Sequence, residues 1–215
     1  MANLLPSKTD TWISPVKKIS ITIRSMDRLK AYILSKINLS KEELREILQA
    51  FEYKAYKKDQ IVVQKGQYVT KYYYIAKGGV RFVTDTPSKE ITAGLIFENN
   101  LITELEALKS GLPSQLKIVT IEESEIFSIE QPKMQELYKK IQKWETFGRL
   151  VIEEAFIIIT KMIISFQEMD AEKRYLNLLQ NSEAIQRVPL KQLSTYLGIT
   201  PNTLSRIRRK IADSH

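Results

Sequence analysis

The stretch Val188–Ile211, VPLKQLSTYLGITPNTLSRIRRKI, holds the chain to a narrow choice of local geometry. Leu190, Leu193 and Leu197 are three and four apart, so they form one apolar stripe on a helix. Ser194 is small enough to let a second helix cross closely over it. Gly198 follows the last apolar residue, where a left-handed backbone is least costly without a Cβ. Thr200 is placed to cap a new helix with its hydroxyl, and Pro201 falls at the first helical position, where its missing N–H costs nothing. Leu204, Ile207 and Ile211 make the inward stripe of that second helix. The spacing predicts a helix-turn-helix.

The same spacing leaves Asn202, Ser205, Arg206, Arg209 and Lys210 on or near the outer face, with Thr200 and Thr203 at its start. Arg pairs bidentately with guanine O6 and N7, Asn with adenine N6 and N7, and further cations suit phosphates. The expected partner is double-stranded DNA, met by Thr200, Asn202, Thr203, Ser205, Arg206, Arg209 and Lys210. The alternative is a helical hairpin with a solvated charged face, which charge alone does not exclude. The small residue, glycine, cap and proline favour the DNA-reading geometry, because each falls where that geometry needs it.

Upstream of this module the period changes twice. Residues 1–25 show little periodicity and are expected to form a lead-in segment. A short helix is predicted from Met26 to about Leu34, and Ser40 with Glu43 makes a capping box that opens another through Leu44, Ile47 and Leu48. Seven strand-like runs follow, FEYKAY, QIVVQ, KYYYIA, VRFVT, ITAGLIF, LKIVTI and EIFSI, separated by turn signals such as Lys65-Gly66 and Gly78-Gly79. Short strands at that spacing predict a sandwich or jelly-roll barrel, closed off at Pro132.

Helical periodicity returns from about Lys133 to Phe166, with a break near 140–143. Two apolar rows run along this helix: Val151, Ala155, Ile158 and Met162, and beside them Ile152, Phe156, Ile159, Ile163 and Phe166. One row has the barrel to pack on, and the other needs a second partner. A symmetric copy of the helix is the economical one, with Val151, Ala155, Ile158 and Met162 expected as the dimer seam. The alternative is a helix buried on two sides within one subunit. A final helix, Ala171–Leu179, leads into the helix-turn-helix.

The expected fold class is α+β, with an N-terminal jelly-roll-like β-roll over 26–140, a dimerisation helix and hinge over 141–170, and a helix-turn-helix domain over 171–215. With 215 residues the chain is long enough for these domains to bury cores. It has no cysteine, and its single histidine is His215, so thiolate and imidazole metal or haem sites have no material and no cofactor is expected. A metal-dependent enzyme on a jelly roll would need histidines among the strands, which sets the enzyme class aside. No apolar run approaches the roughly 20 residues that span a bilayer, and MANLLPSKTDTW lacks an apolar signal core. A cytoplasmic protein with no membrane partner is expected. The net charge is +8, and residues 171–215 alone carry eight basic and three acidic groups, as a nucleic-acid binder needs.

A barrel of short strands, a long apolar helix and a terminal helix-turn-helix, in that order, resemble the Crp/Fnr superfamily of transcription regulators. The resemblance covers about Met26 to Ile211 and is carried by KKDQIVVQKGQYVTKYYYIAKGGVRFV and by DAEKRYLNLL leading to LGITPNTLSRIRRKI. It implies a homodimer that binds inverted-repeat DNA and acts with RNA polymerase, with Asn202, Ser205 and Arg206 reading bases and Arg209 on the phosphate backbone. It also implies a small-molecule effector in the roll. Family members that bind cyclic AMP have a glycine and glutamate before a short helix, and an arginine and serine after it. The matching stretch here is LITELEALKSGLPSQLKI: Glu104 fills the glutamate position, Thr103 replaces the glycine, and Ser114 and Gln115 stand where the arginine and serine belong. Neither supplies the charge a cyclic phosphate needs. Lys109 and Lys117 are the candidate substitutes, and the expectation is a divergent pocket that does not take cyclic AMP. A sensor or scaffold whose terminal domain binds protein instead of DNA is the competing reading.

Overall fold

A computed structural model of the chain describes residues 15–87 and 89–213. The first described element is α1 (Pro15–Leu34), where a lead-in was expected up to residue 25; residues 1–14 lie outside the described ones. Tertiary contact outweighs the low helix propensity of its β-branched residues: Ser25, Leu29 and Ile33 fall one turn apart and are all buried. The Ser25 hydroxyl donates to the Glu125 carboxylate. Next comes α2 (Lys41–Gln49), capped by Ser40 and Glu43 in a reciprocal box, as the sequence predicts.

The strands are β1 (Glu52–Tyr56), β2 (Ile61–Val63), β3 (Lys71–Lys77), β4 (Gly79–Asp85), β5 (Glu90–Phe97), β6 (Asn100–Ile102), β7 (Lys117–Thr120) and β8 (Ser124–Glu130). They form two antiparallel sheets, one ordered β1-β8-β3-β6 and the other β2-β7-β4-β5. Only β6 lacks a counterpart among the sequence runs; its three residues are too short to show a period. Between β6 and β7 sits α3 (Leu105–Ser110), and after β8 come α4 (Gln131–Lys140) and α5 (Gln142–Glu168), broken at Ile141. The terminal part is α6 (Ala171–Asn181), a 3₁₀ turn (Glu183–Arg187), α7 (Leu190–Tyr196) and α8 (Pro201–Ala212).

Alternation along β3 explains the layering. Tyr73 and Ile75 face Val63, Val80, Ile118 and Ile126 inside the roll, while Tyr74 and Ala76 face a second core shared with α1, α2, α4 and α5. In that second core Trp144 stacks on Phe147 with ring centroids 4.3 Å apart, and Tyr32 stacks on Tyr74 at 5.1 Å. The tight corner between β3 and β4 requires glycine at Gly78: its φ is +87°, and a Cβ there would lie 2.4 Å from the Ser124 Oγ. A third core lies on the outer face of β5, where Leu95 and Phe97 meet Tyr175, Leu193 and Leu204 of the terminal helices. The molecule is therefore four layers deep: packed helices, two sheets, and the terminal helices against the second sheet.

Candidate functional site

The helix-turn-helix is built as its residues dictate. Leu193, Leu197, Leu204 and Ile207 are buried in one cluster, with Leu190 and Ile211 packed against it. Ser194 is fully buried at the helix crossing. Gly198 takes φ +72° with open space around it, so its requirement is conformational alone. The Thr200 hydroxyl accepts from the Thr203 backbone N–H at 3.2 Å and pairs with the Thr203 hydroxyl at 2.9 Å.

Opposite the buried stripe, Asn202, Ser205, Arg206 and Arg209 are exposed together on α8. Their side chains make no hydrogen bond or ion pair with the described residues. Thr200 and Thr203 spend their hydroxyls on the cap, and Lys210 bridges to Glu172 of α6 at 2.8 Å. Arg208 belongs to the packing instead: its Nε donates to the Tyr175 hydroxyl at 3.1 Å.

A second feature lies between the roll and the middle of α5, an open groove of about 970 Å³. Phe82, Ile96, Leu101, Ile102 and Leu116 line it from the roll, and Val151, Ile152, Ala155, Ile158 and Met162 from the helix. Two sequence expectations meet the structure here. The row Val151, Ala155, Ile158 and Met162, expected as a dimer seam, lines the groove together with Ile152 and Ile159 of the neighbouring row, and Val151 is buried in the helical core. It continues the stripe of Trp144 and Phe147, which packs on the roll side, so the same face stays turned that way. Both rows carry exposed residues: Phe156 is 70 % exposed, Ile158 57 %, and Ile152, Ile159 and Ile163 about half.

The second expectation concerns the cassette. Of Glu104, Ser114, Gln115, Lys109 and Lys117, only Lys109 lines the groove. Glu104 is buried and caps α3, accepting from the Glu106 and Ala107 N–H groups at 3.2 and 3.1 Å. Ser114 is buried and donates to the Leu116 carbonyl at 2.9 Å; the Gln115 amide donates to the Pro113 carbonyl. Lys117 alternates with Ile118, which fills the roll, so it points to the outer face, where it pairs with Glu90 at 2.8 Å and Asp85 at 3.1 Å. Arg81 reaches Glu90 from the same face at 2.9 Å. Bonds from Lys117 and then Arg81 hold the Glu90 carboxyl at about 2.

The residues that join roll and terminal helices escaped the sequence reading. Thr195 meets Thr92 of β5 through hydroxyl and backbone bonds at 3.1 and 3.2 Å. Arg187 bridges to Glu98 and Glu122. Arg174 donates to the Met169 and Leu197 carbonyls and lies over the Phe166 ring at 4.5 Å, tying the end of α5 to α7. Apart from the contacts of Arg174 with Met169 and Phe166, these are meetings of residues far apart in sequence and carry no local signal.

Residues 53–141 match the cyclic nucleotide-binding domain family. No curated protein sequence matches the chain as a relative. Among solved structures, FixK2 from Bradyrhizobium japonicum superposes with a TM-score of 0.67 at 13% identity, over 76% of this chain and 85% of that one. A regulator assigned to the Crp/Fnr family from Eubacterium rectale gives 0.61 at 13%, over 82% and 85%. The chain has the Crp/Fnr fold. A third structure with this fold, the c-di-GMP-responsive global regulator CLP of Xanthomonas campestris, gives 0.64 at 14%, over 81% and 93%. The Crp/Fnr fold places the terminal helices after the roll and the long helix, in the order the sequence predicts. Among the described residues no group of acidic or histidine side chains is placed to hold a metal ion, and no helix is long and apolar enough to cross a membrane.

Proposed function

We propose that the chain is a homodimeric, sequence-specific DNA-binding transcription regulator, in which α8 enters the major groove and the groove beside α5 receives an effector other than cyclic AMP. One observation carries the reading: Asn202, Ser205, Arg206 and Arg209 stand exposed on one face of α8, opposite a stripe buried in a helix-turn-helix core. Such a face combines base-edge donors with phosphate-binding charge. The exposed apolar residues of α5 supply a face for a second copy, which would set two α8 helices on two-fold-related half-sites. A regulator of this kind acts through RNA polymerase bound nearby.

Selection from a random duplex library, followed by fluorescence anisotropy on the enriched sequences, tests the reading. The expected product is an inverted repeat with half-sites one helical turn, about 34 Å, apart. Equal weak binding to every duplex would remove it in favour of a sensor whose terminal domain binds protein.

A further inference from the structure

We infer that the groove between the roll and α5 takes a small apolar monoanion, its hydrocarbon body along the groove and its anionic head at Lys109. This rests on the reading of the groove as the effector site of a regulator, and it names the chemical class of that effector. The groove has the size of a small-molecule pocket and the matching character, mostly apolar with few polar groups.

Several polar groups around it are already committed: Thr103 donates to the Lys71 carbonyl at 2.9 Å, Glu104 caps α3, and Arg149 pairs with Glu153 on its own helix. Gln135 and the tyrosines Tyr72, Tyr138 and Tyr196 also line it. Glu145, also on the α5 side, repels an anion and favours the opposite end. Lys109, in the last turn of α3, lines the groove and makes no bond or ion pair with the described residues. An alkyl or aryl body meets this mostly apolar wall without giving up hydrogen bonds of its own. One ammonium matches one negative head.

Calorimetric titration of the full chain with decanoate, 1-decanol and cyclic AMP tests the inference. Decanoate should bind at one per chain and cyclic AMP should give no heat. Lys109→Gln should weaken decanoate about tenfold while changing 1-decanol less than twofold. Ala155→Trp, at an exposed position that touches no core, should fill the groove and abolish both. The inference falls if decanoate fails to bind, if its binding survives Ala155→Trp, or if Lys109→Gln affects acid and alcohol alike. Selected-DNA binding is scored separately. Decanoate bound with no preferred DNA overturns the regulator and leaves the site, and preferred DNA with no decanoate bound does the reverse.

Discussion

Arg187, at the end of the 3₁₀ turn, grips the Glu98 carboxylate of the roll with both terminal guanidinium nitrogens, at 2.9 and 2.7 Å. It reaches Glu122 at 3.3 Å and lies over the Phe97 ring at 5.3 Å. With the Thr92–Thr195 pair it frames the apolar contact of Leu95 and Phe97 with the terminal helices. This frame fixes where α8 is held relative to the roll.

Burial pushes the Glu98 carboxyl up, but bonds from Arg187 and from backbone N–H groups, including that of Gly78, outweigh it and hold it below its usual value. A carboxyl depressed in the folded state stabilises above its unfolded pKa and loses that contribution as pH falls through the folded one. Arg187→Gln should therefore cost about 1–3 kcal/mol at neutral pH, since it strands a partly buried carboxylate. The cost should shrink once Glu98 protonates below the usual carboxylate range. Urea denaturation of both proteins from pH 7 to pH 3 checks this, and a cost constant across that range would contradict it.

On α8, Arg206 and Arg209 should differ in kind. Arg206→Ala is expected to weaken the selected site by about 1–3 kcal/mol and relax preference at one base pair. Arg209→Ala should weaken all duplexes alike and flatten the salt dependence. Anisotropy titrations at several salt concentrations separate the two, and identical behaviour of both variants would refute the division of roles.

Assembly should depend on the exposed apolar residues of α5 around Phe156 and Ile163. Ile163→Lys puts a charge where an apolar seam is expected and should convert a dimer to monomer, at a cost of several kcal/mol. Ala155→Trp, on the groove side, should leave the sedimentation coefficient of the dimer unchanged. A wild-type chain that sediments as a monomer at high concentration would remove the seam.

The helix-turn-helix was legible because its determinants are local: a cap, a proline, a glycine and two apolar stripes within 24 residues. The strands were legible for the same reason, apart from β6. Which row faces the roll was not legible, because two adjacent apolar rows look alike in one window. Tracing the stripe back to Trp144 and Phe147 would have shown which row faces the roll. Lys117 was misassigned because the cassette was read without strand parity, in which Ile118 faces inward and Lys117 outward. No pattern within the sequence announces Arg187 with Glu98, which are 89 positions apart.

Lys117 should prove structural and not phosphate-binding. It sits on the outer face of β7 between Glu90 and Asp85, each within about 3 Å of its ammonium. Its bonds to both carboxylates raise the pKa of that ammonium against the opposing effect of burial. Its bond is also the largest influence holding Glu90 at about 2, ahead of the bond from Arg81. Glu90 is depressed, so its contribution is complete above the ordinary carboxylate pKa and disappears as pH falls through about 2. Because the Glu90 side chain is 48% exposed, solvent screening limits the pair to about 1 kcal/mol or less. Lys117→Ala should lower stability by about that amount at pH 7 and by little well below about pH 2, while leaving any nucleotide titration as it was. Denaturation at the two pH values, with calorimetry against cyclic AMP, decides the matter: nucleotide binding in the wild type that Lys117→Ala abolishes would place this lysine in the pocket and overturn its outward assignment.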